Sequence, residues 1–333
     1  MTLLKSSLAV LLITAGSTGI ALAGDWKPEK PITLIVPWGA GGATDQVTRV
    51  TAGALEGPLG QKVVVVNQPG ASGSIGSKAA MDAPHDGYTW TAGAAKDLGT
   101  YAVTGKFDTK IQDWHLFLNS ALVNVISVNP DSKIQDMGAF LEALKAGNGT
   151  AVGTSGVNSA GHSAMEAIIK AAGGAYKHVS YDGGAAAVLS TVSGETQATS
   201  QLITEQIEML KGKRLRPLAV LATEAIEVPG VGTIPPITEW LPDFKPTPIY
   251  FGIFVPKGVP DDVVATLEKV WGSDIANSSD LKDYTTTKGS VMAVHSGDDA
   301  QARVWSSIQT NAWLLFDGGK GAVSPDTLGI PRP

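Results

Sequence analysis

VPWGAGGATDQVTRV, Val36–Val50, decides the fold class: an apolar segment typical of a β-strand runs through a glycine-rich loop into a helix. The helix pattern is amphipathic, because its apolar residues recur at the spacing of one helical face. Those residues are Val47, Val50, Ala54 and Leu55. A strand that leads into a covering helix is the repeating unit of α/β proteins. The stretch therefore predicts an α/β fold with a loop at the end of a strand.

The glycine-rich loop has the composition of a phosphate-binding loop but not its motif. A Rossmann fingerprint requires G-x-G-x-x-G, and Thr44 stands where the third glycine belongs. A P-loop requires G-K-[ST], and no lysine lies between Lys30 and Lys62. The free N–H groups at a helix start still suit a small anion. The loop is predicted to hold a carboxylate; a bare turn capped by Thr44 and Asp45 is the alternative.

The alternation of strand and helix patterns continues along the chain. Further strands are predicted at KVVVV, YTWTAGA, VNVISV, GTAVGTS, KHVSY, TQATS, LRPLAVLAT and YFGIFVPKG. Helices are predicted at MGAFLEALKAG, HSAMEAIIKAAG and DDVVATLEKVWGSDIA, the first two ending at Gly147 and Gly173. This alternation predicts parallel sheets covered by helices. Because 333 residues are too many for one ordinary core, we expect two domains.

The composition excludes several classes of protein. The formal net charge is −6, and no cluster of lysine and arginine is available for nucleic acid. The chain has no cysteine, which excludes disulfides and thiol chemistry. Mean hydropathy near zero is typical of a globular protein.

The first 23 residues are predicted to be a signal peptide. They carry Lys5 as their only charge, an apolar run and the small-x-small site Ala21-Leu22-Ala23. A membrane anchor is the alternative, but it needs about 20 strongly apolar residues, and small polar residues interrupt this run. We therefore expect export to the periplasm with cleavage after Ala23.

Two further loops follow predicted strands in the same way. TAVGTSGVNSAGHSAMEAI places Ser155 and Ser159 after a strand, and YTWTAGAAKDLGTY places Lys96 and Asp97 there. Loops at the carboxyl ends of parallel strands form a binding crevice in this fold class. Lys96 has the charge that an anionic ligand needs; a solvated lysine paired with Asp97 is the alternative.

The matches of this sequence to catalytic motifs are weak. The nucleophile elbow G-x-S-x-G fails at GTSGV and at GASGS. The five histidines show no H-E-x-x-H or paired spacing for zinc, so no metal is expected. His162 beside Ser163 could be half of a catalytic dyad, but a histidine at a helix start more often caps the helix or donates to a ligand. The sequence predicts a protein that is not an enzyme and has no cofactor.

Seven motifs in order resemble the Bug-type extracytoplasmic receptors of the tripartite tricarboxylate transporters. The resemblance spans nearly the whole chain after the signal peptide. The motifs are KPITLIVPWGAGGATD, VVVVNQPGASGSIG, APHDGYT, GTSGVNSAGHSAMEAI, VSYDGGAAAVLSTVSGE, LRPLAVLAT and YFGIFVPKGVP.

The resemblance implies a two-lobed periplasmic binding protein of the type II-like class. Each lobe would be a mostly parallel sheet covered by helices, and two crossover strands would join the lobes with a ligand cleft between them. The implied lobes are 24–124 with 252–333, and 125–251. The expected function is capture of a small carboxylate, a dicarboxylate in particular, by a monomer that delivers it to a membrane permease.

The resemblance also implies ligand-binding residues. In the family, backbone and hydroxyl groups of two loops hold one carboxylate of the ligand. The resemblance implies the same role for the matching residues of this chain, which are Gly41, Gly42, Thr44, Asp45, Ser155, Ser159 and His162. Variable loops meet the far end of the ligand, here through Lys96, Tyr181, Gly183, Ser200 and Gln201. This chain departs from the family where Gln68 replaces a common arginine, where Asp182 replaces a frequent lysine, and at Lys96-Asp97. These departures affect the specificity end of the ligand and leave the first carboxylate site unchanged.

Two other functions use the same sequence features. An extracytoplasmic sensor would use the same cleft to signal to a membrane histidine kinase. A hydrolase is the third hypothesis. A transport receptor is the function that the resemblance predicts first.

Overall fold

The computed structural model describes residues 25–333 and contains two mixed sheets with helices packed against them. The predicted signal peptide lies outside the described residues. In the described part, the strands are β1 Ile32–Val36, β2 Val63–Asn67, β3 Thr89–Ala94, β4 Trp114–Leu122, β5 Asn124–Val128, β6 Ala151–Thr154, β7 Lys177–Ser180, β8 Ala198–Leu202, β9 Arg216–Val220, β10 Ile226–Val228, β11 Gly232–Ile234, β12 Ile249–Pro256 and β13 Val291–Ser296. The α-helices are α1 Ala43–Leu59, α2 Ser74–Asp82, α3 Ala95–Thr100, α4 Met137–Lys145, α5 Ala160–Ala172, α6 Gly184–Val192, α7 Ile203–Lys211, α8 Asp261–Val270, α9 Ser279–Lys288 and α10 Gly297–Asp317.

The first sheet has the order β13-β4-β12-β3-β1-β2, and the second has the order β7-β6-β8-β5-β9. The α/β prediction is confirmed, but the sheets are mixed and not mostly parallel. In the first sheet β1 pairs in parallel with β2 and β3, whereas β12 is antiparallel to both β3 and β4. In the second, β6 is parallel to β7 and β8, whereas β5 is antiparallel to β8 and β9. The strands that enter each sheet from the other, β5 and β12, run antiparallel to their neighbours, and so does the edge strand β13 to β4.

The chain leaves the first sheet after β4 and returns to it at β12. The lobe boundaries at 124/125 and 251/252 stay a prediction, and the second of them falls inside β12. None of the helices in residues 25–333 combines the length and the hydropathy needed to span a bilayer.

The amphipathic helices pack as their patterns predict. Val47 and Leu55 of α1 are buried in the same core as Ile32 and Leu34 of β1. The helix predicted over DDVVATLEKVWGSDIA is α8, which continues as a π-helical turn over Trp271–Ile275. Burial of these apolar faces is the main stabilising contribution to a fold without disulfides.

The sequence pattern did not predict β4, although it is an inner strand of the first sheet. Its segment WHLFLNSAL carries Asn119 and Ser120 at fully buried positions. Asn119 Nδ2 donates to Thr51 Oγ1 over 3.0 Å, and Ser120 Oγ donates to Asn119 Oδ1 over 2.9 Å. These hydrogen bonds allow polar side chains inside the core, where an apolar pattern cannot reveal them.

Candidate ligand-binding site

A cleft lies between the two sheets where the N-termini of α1, α5 and α6 meet. Its inner cavity has a volume of about 30 Å³, which is the space of one or two water molecules. The inner cavity is lined by Trp38, Gly42, Ala43, Thr44, Ala94, Asp97, Ser155, Ser159, Ala160, Gly184, Gln201, Leu202, Glu205 and Phe251. Helix N-termini present free N–H groups and the positive end of the helix dipole, so this arrangement suits an anion.

An outer cavity of about 210 Å³ shares Trp38 and Ser155 with the inner one. It is lined by Trp38, Gly70, Ser72, Gly73, Lys106, Ser155, Gly156, Val157, Ser180, Tyr181 and Asp182. The two cavities are therefore parts of one cleft, and both lobes contribute to each. The inner part is the narrower of the two.

The first glycine-rich loop is shaped by Asp45. The Asp45 carboxylate accepts from the Gly41 N–H over 2.9 Å, from Asn67 Nδ2 over 2.9 Å and from Arg49 Nε over 3.0 Å. Burial by itself would raise the pKa of Asp45, but the bonds from Arg49, Gly41 and Asn67 outweigh it and lower the pKa. Gly41 has φ 79°, a left-handed conformation that glycine adopts without strain. Asp45 and Gly41 therefore hold the loop but do not line the inner cavity, whereas Gly42 and Thr44 do.

The second predicted loop contributes Ser155 and Ser159 to the inner cavity. Ser159 is the N-cap of α5, and its Oγ accepts from the His162 N–H over 3.2 Å. The His162 ring is fully buried and packs on the His178 ring at a centroid distance of 4.7 Å. Burial lowers the pKa of His162 to about 3, so the ring is neutral. His162 is not among the residues that line either cavity.

Lys96 and Asp97 lie in the first turn of α3, which follows β3 directly, so the predicted loop is wrong. The Lys96 side chain is buried and only 2% exposed. Its Nζ donates to Asp97 Oδ1 over 2.7 Å and to the Asn158 carbonyl oxygen over 2.7 Å. Burial raises the pKa of Asp97, and the nearby Lys96 ammonium opposes that shift. Asp97 lines the inner cavity, but Lys96 does not, and the Lys96 ammonium is occupied by Asp97 of its own helix and by the Asn158 carbonyl.

The other predicted residues lie at different depths of the cleft. Tyr181 lines the outer cavity, with its hydroxyl donating to Glu195 Oε1 over 2.9 Å. Gln201 lines the inner cavity. Ser200 lies behind it, and its Oγ donates to the Gly161 carbonyl oxygen over 2.9 Å. A Cβ added at Gly183 would lie 3.5 Å from Gly39 of the opposite lobe, so Gly183 belongs to the lobe contact.

Lys106 is a cleft residue that the sequence did not predict. It lines the outer cavity, and its Nζ donates to Ser72 Oγ over 3.0 Å. Burial lowers the pKa of Lys106, and Asp97 opposes that shift. It lies in the turn TGKFD, outside every predicted loop, and only the fold brings it to the cleft.

Glu205 in the first turn of α7 is the second residue that the sequence did not predict. Its Oε1 accepts from the Ala43 N–H, in the first turn of α1, over 3.0 Å. Burial raises the pKa of Glu205 to about 7, against the lowering effect of the Ala43 and Leu202 N–H groups. Its one sequence signal is the acid at the helix start in LITEQIEML, and helix starts generally favour acids.

Several known proteins are similar to this chain in sequence and in fold. The family model for tripartite tricarboxylate transporter family receptors matches residues 47–303. Protein BugT of Bordetella pertussis is 27% identical over 320 residues, which cover 94% of this chain and 97% of BugT. MatC of Rhodopseudomonas palustris, solved with bound malate, has a TM-score of 0.78 at 21% identity and covers 86% of this chain and 99% of MatC.

A second solved structure gives the same fold. The R. palustris protein Rpa4515, solved with adipate, has a TM-score of 0.78 at 24% identity and covers 88% of this chain and 98% of Rpa4515. The family model covers well over half of the chain, and the family consists of substrate-binding receptors, which are not enzymes. The chain belongs to the tripartite tricarboxylate transporter receptor family and is a solute-binding receptor.

Proposed function

We propose that this receptor captures a small dicarboxylate, aliphatic or aromatic, between its lobes in the periplasm and delivers it to a tripartite tricarboxylate-type permease. Export would remove the segment that ends at Ala23. The observation that carries the proposal is the meeting of three helix N-termini at one interlobe cavity. Such N–H groups hold a carboxylate without a mobile cationic side chain.

Each end of the ligand has a proposed place. One carboxylate would be held in the inner cavity by the N–H groups at the start of α1 and by the hydroxyls of Thr44, Ser155 and Ser159. The second carboxylate would lie in the outer cavity beside Lys106 and Ser72, which are 3.0 Å apart. Lys106 takes the role that the sequence suggested for Lys96, because the Lys96 ammonium is already bonded to Asp97 and Asn158.

Two structural relatives support a carboxylate ligand. MatC was solved with malate and Rpa4515 with adipate, and both are dicarboxylates. A ligand that contacts both lobes binds the closed state more tightly than the open one and shifts the equilibrium by that difference. The permease would then recognise the closed shape.

A thermal-shift screen of the mature protein tests the proposal. At a ligand concentration about 100 times Kd, binding adds roughly 2.7 kcal/mol to the free energy of unfolding, which raises Tm by a few degrees. We expect dicarboxylates to raise Tm and nucleotides and sugars to leave it unchanged. A panel in which only uncharged solutes stabilised the protein would refute a carboxylate cleft.

A lysine variant tests the place of the second carboxylate. Lys106→Met should weaken dicarboxylates more than monocarboxylates, because only the former reach the outer cavity. Lys133→Met, an exposed lysine outside the cleft, is the matched control and should change neither. Equal weakening of both ligand classes by Lys106→Met would contradict this role.

A further inference from the structure

The Glu205 carboxylate lies inside the cleft that the proposed function assigns to a carboxylate ligand. The side chain starts from α7 in the second lobe and reaches the Ala43 N–H of the first lobe, 3.0 Å away. A Cβ added at Gly184 would lie 2.0 Å from Glu205 Oε1 and 2.2 Å from Oε2. The carboxylate therefore packs flat on Gly184, at the start of α6, and only glycine leaves room for it.

Hydrogen bonds hold this carboxylate, and no ion pair does. With its amide nitrogen turned toward Glu205, Gln201 donates to Oε2 over 3.2 Å, and its carbonyl accepts from the Ser155 N–H over 3.0 Å. Among residues 25–333, no lysine, arginine or histidine nitrogen forms an ion pair with Glu205, and Lys96 is bonded to Asp97. Above pH 7, where the Glu205 carboxyl is ionised, no cationic side chain among the described residues of the cleft cancels its negative charge.

A ligand in the inner cavity has to face this carboxylate. Above its pKa of about 7, the ionised Glu205 repels a dicarboxylate that has only acceptor oxygens, and a buried acceptor without a donor costs free energy. A ligand that also carries an N–H or O–H group gives Glu205 a donor. An ammonium does so with an opposite charge, and charge-assisted hydrogen bonds are roughly twice as strong as neutral ones.

We propose that Glu205 makes the cleft selective for small carboxylates that carry a hydrogen-bond donor beside the carboxylate, an ammonium in preference to a hydroxyl, and that Glu205 accepts from that donor. The inference rests on the proposed function, because it assumes that a carboxylate binds in this cleft. It adds the chemical group that distinguishes a strong ligand from a weak one.

Matched pairs of ligands test this inference by calorimetry on the wild-type receptor at pH 8, above the pKa of Glu205. Aspartate and succinate differ by one ammonium, and so do glutamate and glutarate; malate supplies the hydroxyl. We expect the amino acid of at least one pair to bind about tenfold more tightly than its unsubstituted partner, with malate between aspartate and succinate. Equal affinities within both pairs would overturn the inference.

Glu205→Gln tests whether this residue causes the preference. The amide keeps the size of the side chain and an acceptor for Ala43, but it loses the charge. We expect the tenfold preference for the ammonium ligand to fall to less than about threefold. Glu142→Gln, on the exposed face of α4, is the control and should keep the wild-type preference. A preference that survived Glu205→Gln would overturn the assignment.

Failure of the inference can be distinguished from failure of the proposed function. If carboxylates bind but the donor makes no difference, the cleft is a carboxylate site and the inference about Glu205 is wrong. If no carboxylate of the panel binds, the proposed function fails, and the inference fails with it. The ligand pairs are measured on the wild-type protein, so they decide the inference even if Glu205→Gln does not fold.

Discussion

At the scale of single residues, Glu205 is an acid of the cleft wall whose pKa is raised into the neutral range. Burial raises its pKa from the ordinary value of 4.5 to about 7, while two backbone N–H groups oppose the rise. The groups that face it are the Ala43 N–H, the Gln201 amide and the phenol of Tyr284, which its raised pKa keeps neutral. Asp97 is the other acid of the same cavity.

We expect the stability of the protein to depend on pH through Glu205. Because the folded state holds this proton more tightly than the unfolded state, the contribution is complete below pH 4.5 and is lost as pH rises through about 7. Glu205→Gln removes this loss, so its Tm relative to wild type should rise between pH 5 and pH 8. The change corresponds to about 1 to 3 kcal/mol, since the side chain keeps some exposure to the cleft.

Thermal unfolding of both proteins at pH 5 and pH 8 measures this effect. Glu142→Gln, whose side chain is exposed on α4, should follow the wild type at both pH values. Every other ionisable group is the same in the proteins compared, apart from Glu142 in its own variant, so those groups do not contribute to the difference. A difference between Glu205→Gln and wild type that is constant with pH would contradict the raised pKa.

At the scale of elements, the site depends on how helices begin. The starts of α1, α5 and α6 meet at the inner cavity through Thr44, Ser159 and Gly184. Ser159 serves two purposes there, because its Oγ caps α5 and its side chain lines the cavity. A cap contributes to stability, and a cavity wall contributes to binding, so the two can be separated by experiment.

Ser159→Ala should lower stability by about 1 kcal/mol, the usual cost of losing a serine cap, and should also weaken carboxylate binding. Ser278→Ala is a matched control, since Ser278 caps α9 with the same 3.2 Å bond but does not line the cleft. We expect both variants to lose similar Tm and only Ser159→Ala to lose affinity. Equal affinities in the two variants would show that the Ser159 hydroxyl does not bind the ligand.

At the scale of the whole molecule, the lobes are held close by contacts that cross the cleft. The Gly39 N–H donates to the Asp182 carbonyl oxygen over 3.2 Å, and Lys288 Nζ pairs with Glu208 Oε1 over 2.8 Å. Lys96 of α3 also donates to the Asn158 carbonyl oxygen from a buried position, where it is paired with the adjacent Asp97. Removing one member of a buried pair leaves an uncompensated charge, which is far more costly than losing the pair itself.

Lys96→Met should therefore destabilise the protein by about 3 to 5 kcal/mol, because it leaves the buried Asp97 without its partner. The double variant Lys96→Met with Asp97→Asn should recover most of this loss. Tm values of the single and double variants measure this loss of stability. Lys78→Met is the control: it breaks an exposed pair with Asp82 and should lower the free energy of unfolding by less than about 1 kcal/mol. If the double variant is no more stable than the single one, the unpaired charge of Asp97 is not the cause of the destabilisation.

Part of the order of strands and helices could be predicted from periodic burial, whereas α2, α6, α7, α9, α10 and β13 were not predicted. The stripe on α1 and the apolar faces of α5 and α8 gave the right elements. The segment of β4 could not be predicted, because its buried Asn119 and Ser120 are satisfied by hydrogen bonds and not by apolar contacts. The sequence predicted mostly parallel sheets, but the sheets contain both parallel and antiparallel pairs. Local periodicity does not show which strand enters a sheet from the other lobe.

The loops that line the inner cavity were indicated by sequence patterns, and their role in binding a ligand stays a prediction. Gly42, Thr44, Ser155 and Ser159 lie in or beside glycine-rich and small polar loops that follow strands. Gln201, which the family resemblance implied as a loop residue, lines the cavity from inside β8. The side chains that give the cleft its charge have no such sequence pattern. Their positions depend on contacts between residues that are far apart in the chain.

The sequence by itself determined the α/β class, the loops at the strand ends and the family, because each of these is written in local patterns of a few residues. Only the tertiary structure decided which charges face a ligand. It buried the Lys96 ammonium against Asp97 and Asn158, and it brought Lys106 to the outer cavity. It also laid the Glu205 carboxylate beside the start of α1 from 162 residues away. The physical reason is that burial and pairing, which decide whether a charge is available, are properties of the packed lobes and not of the chain.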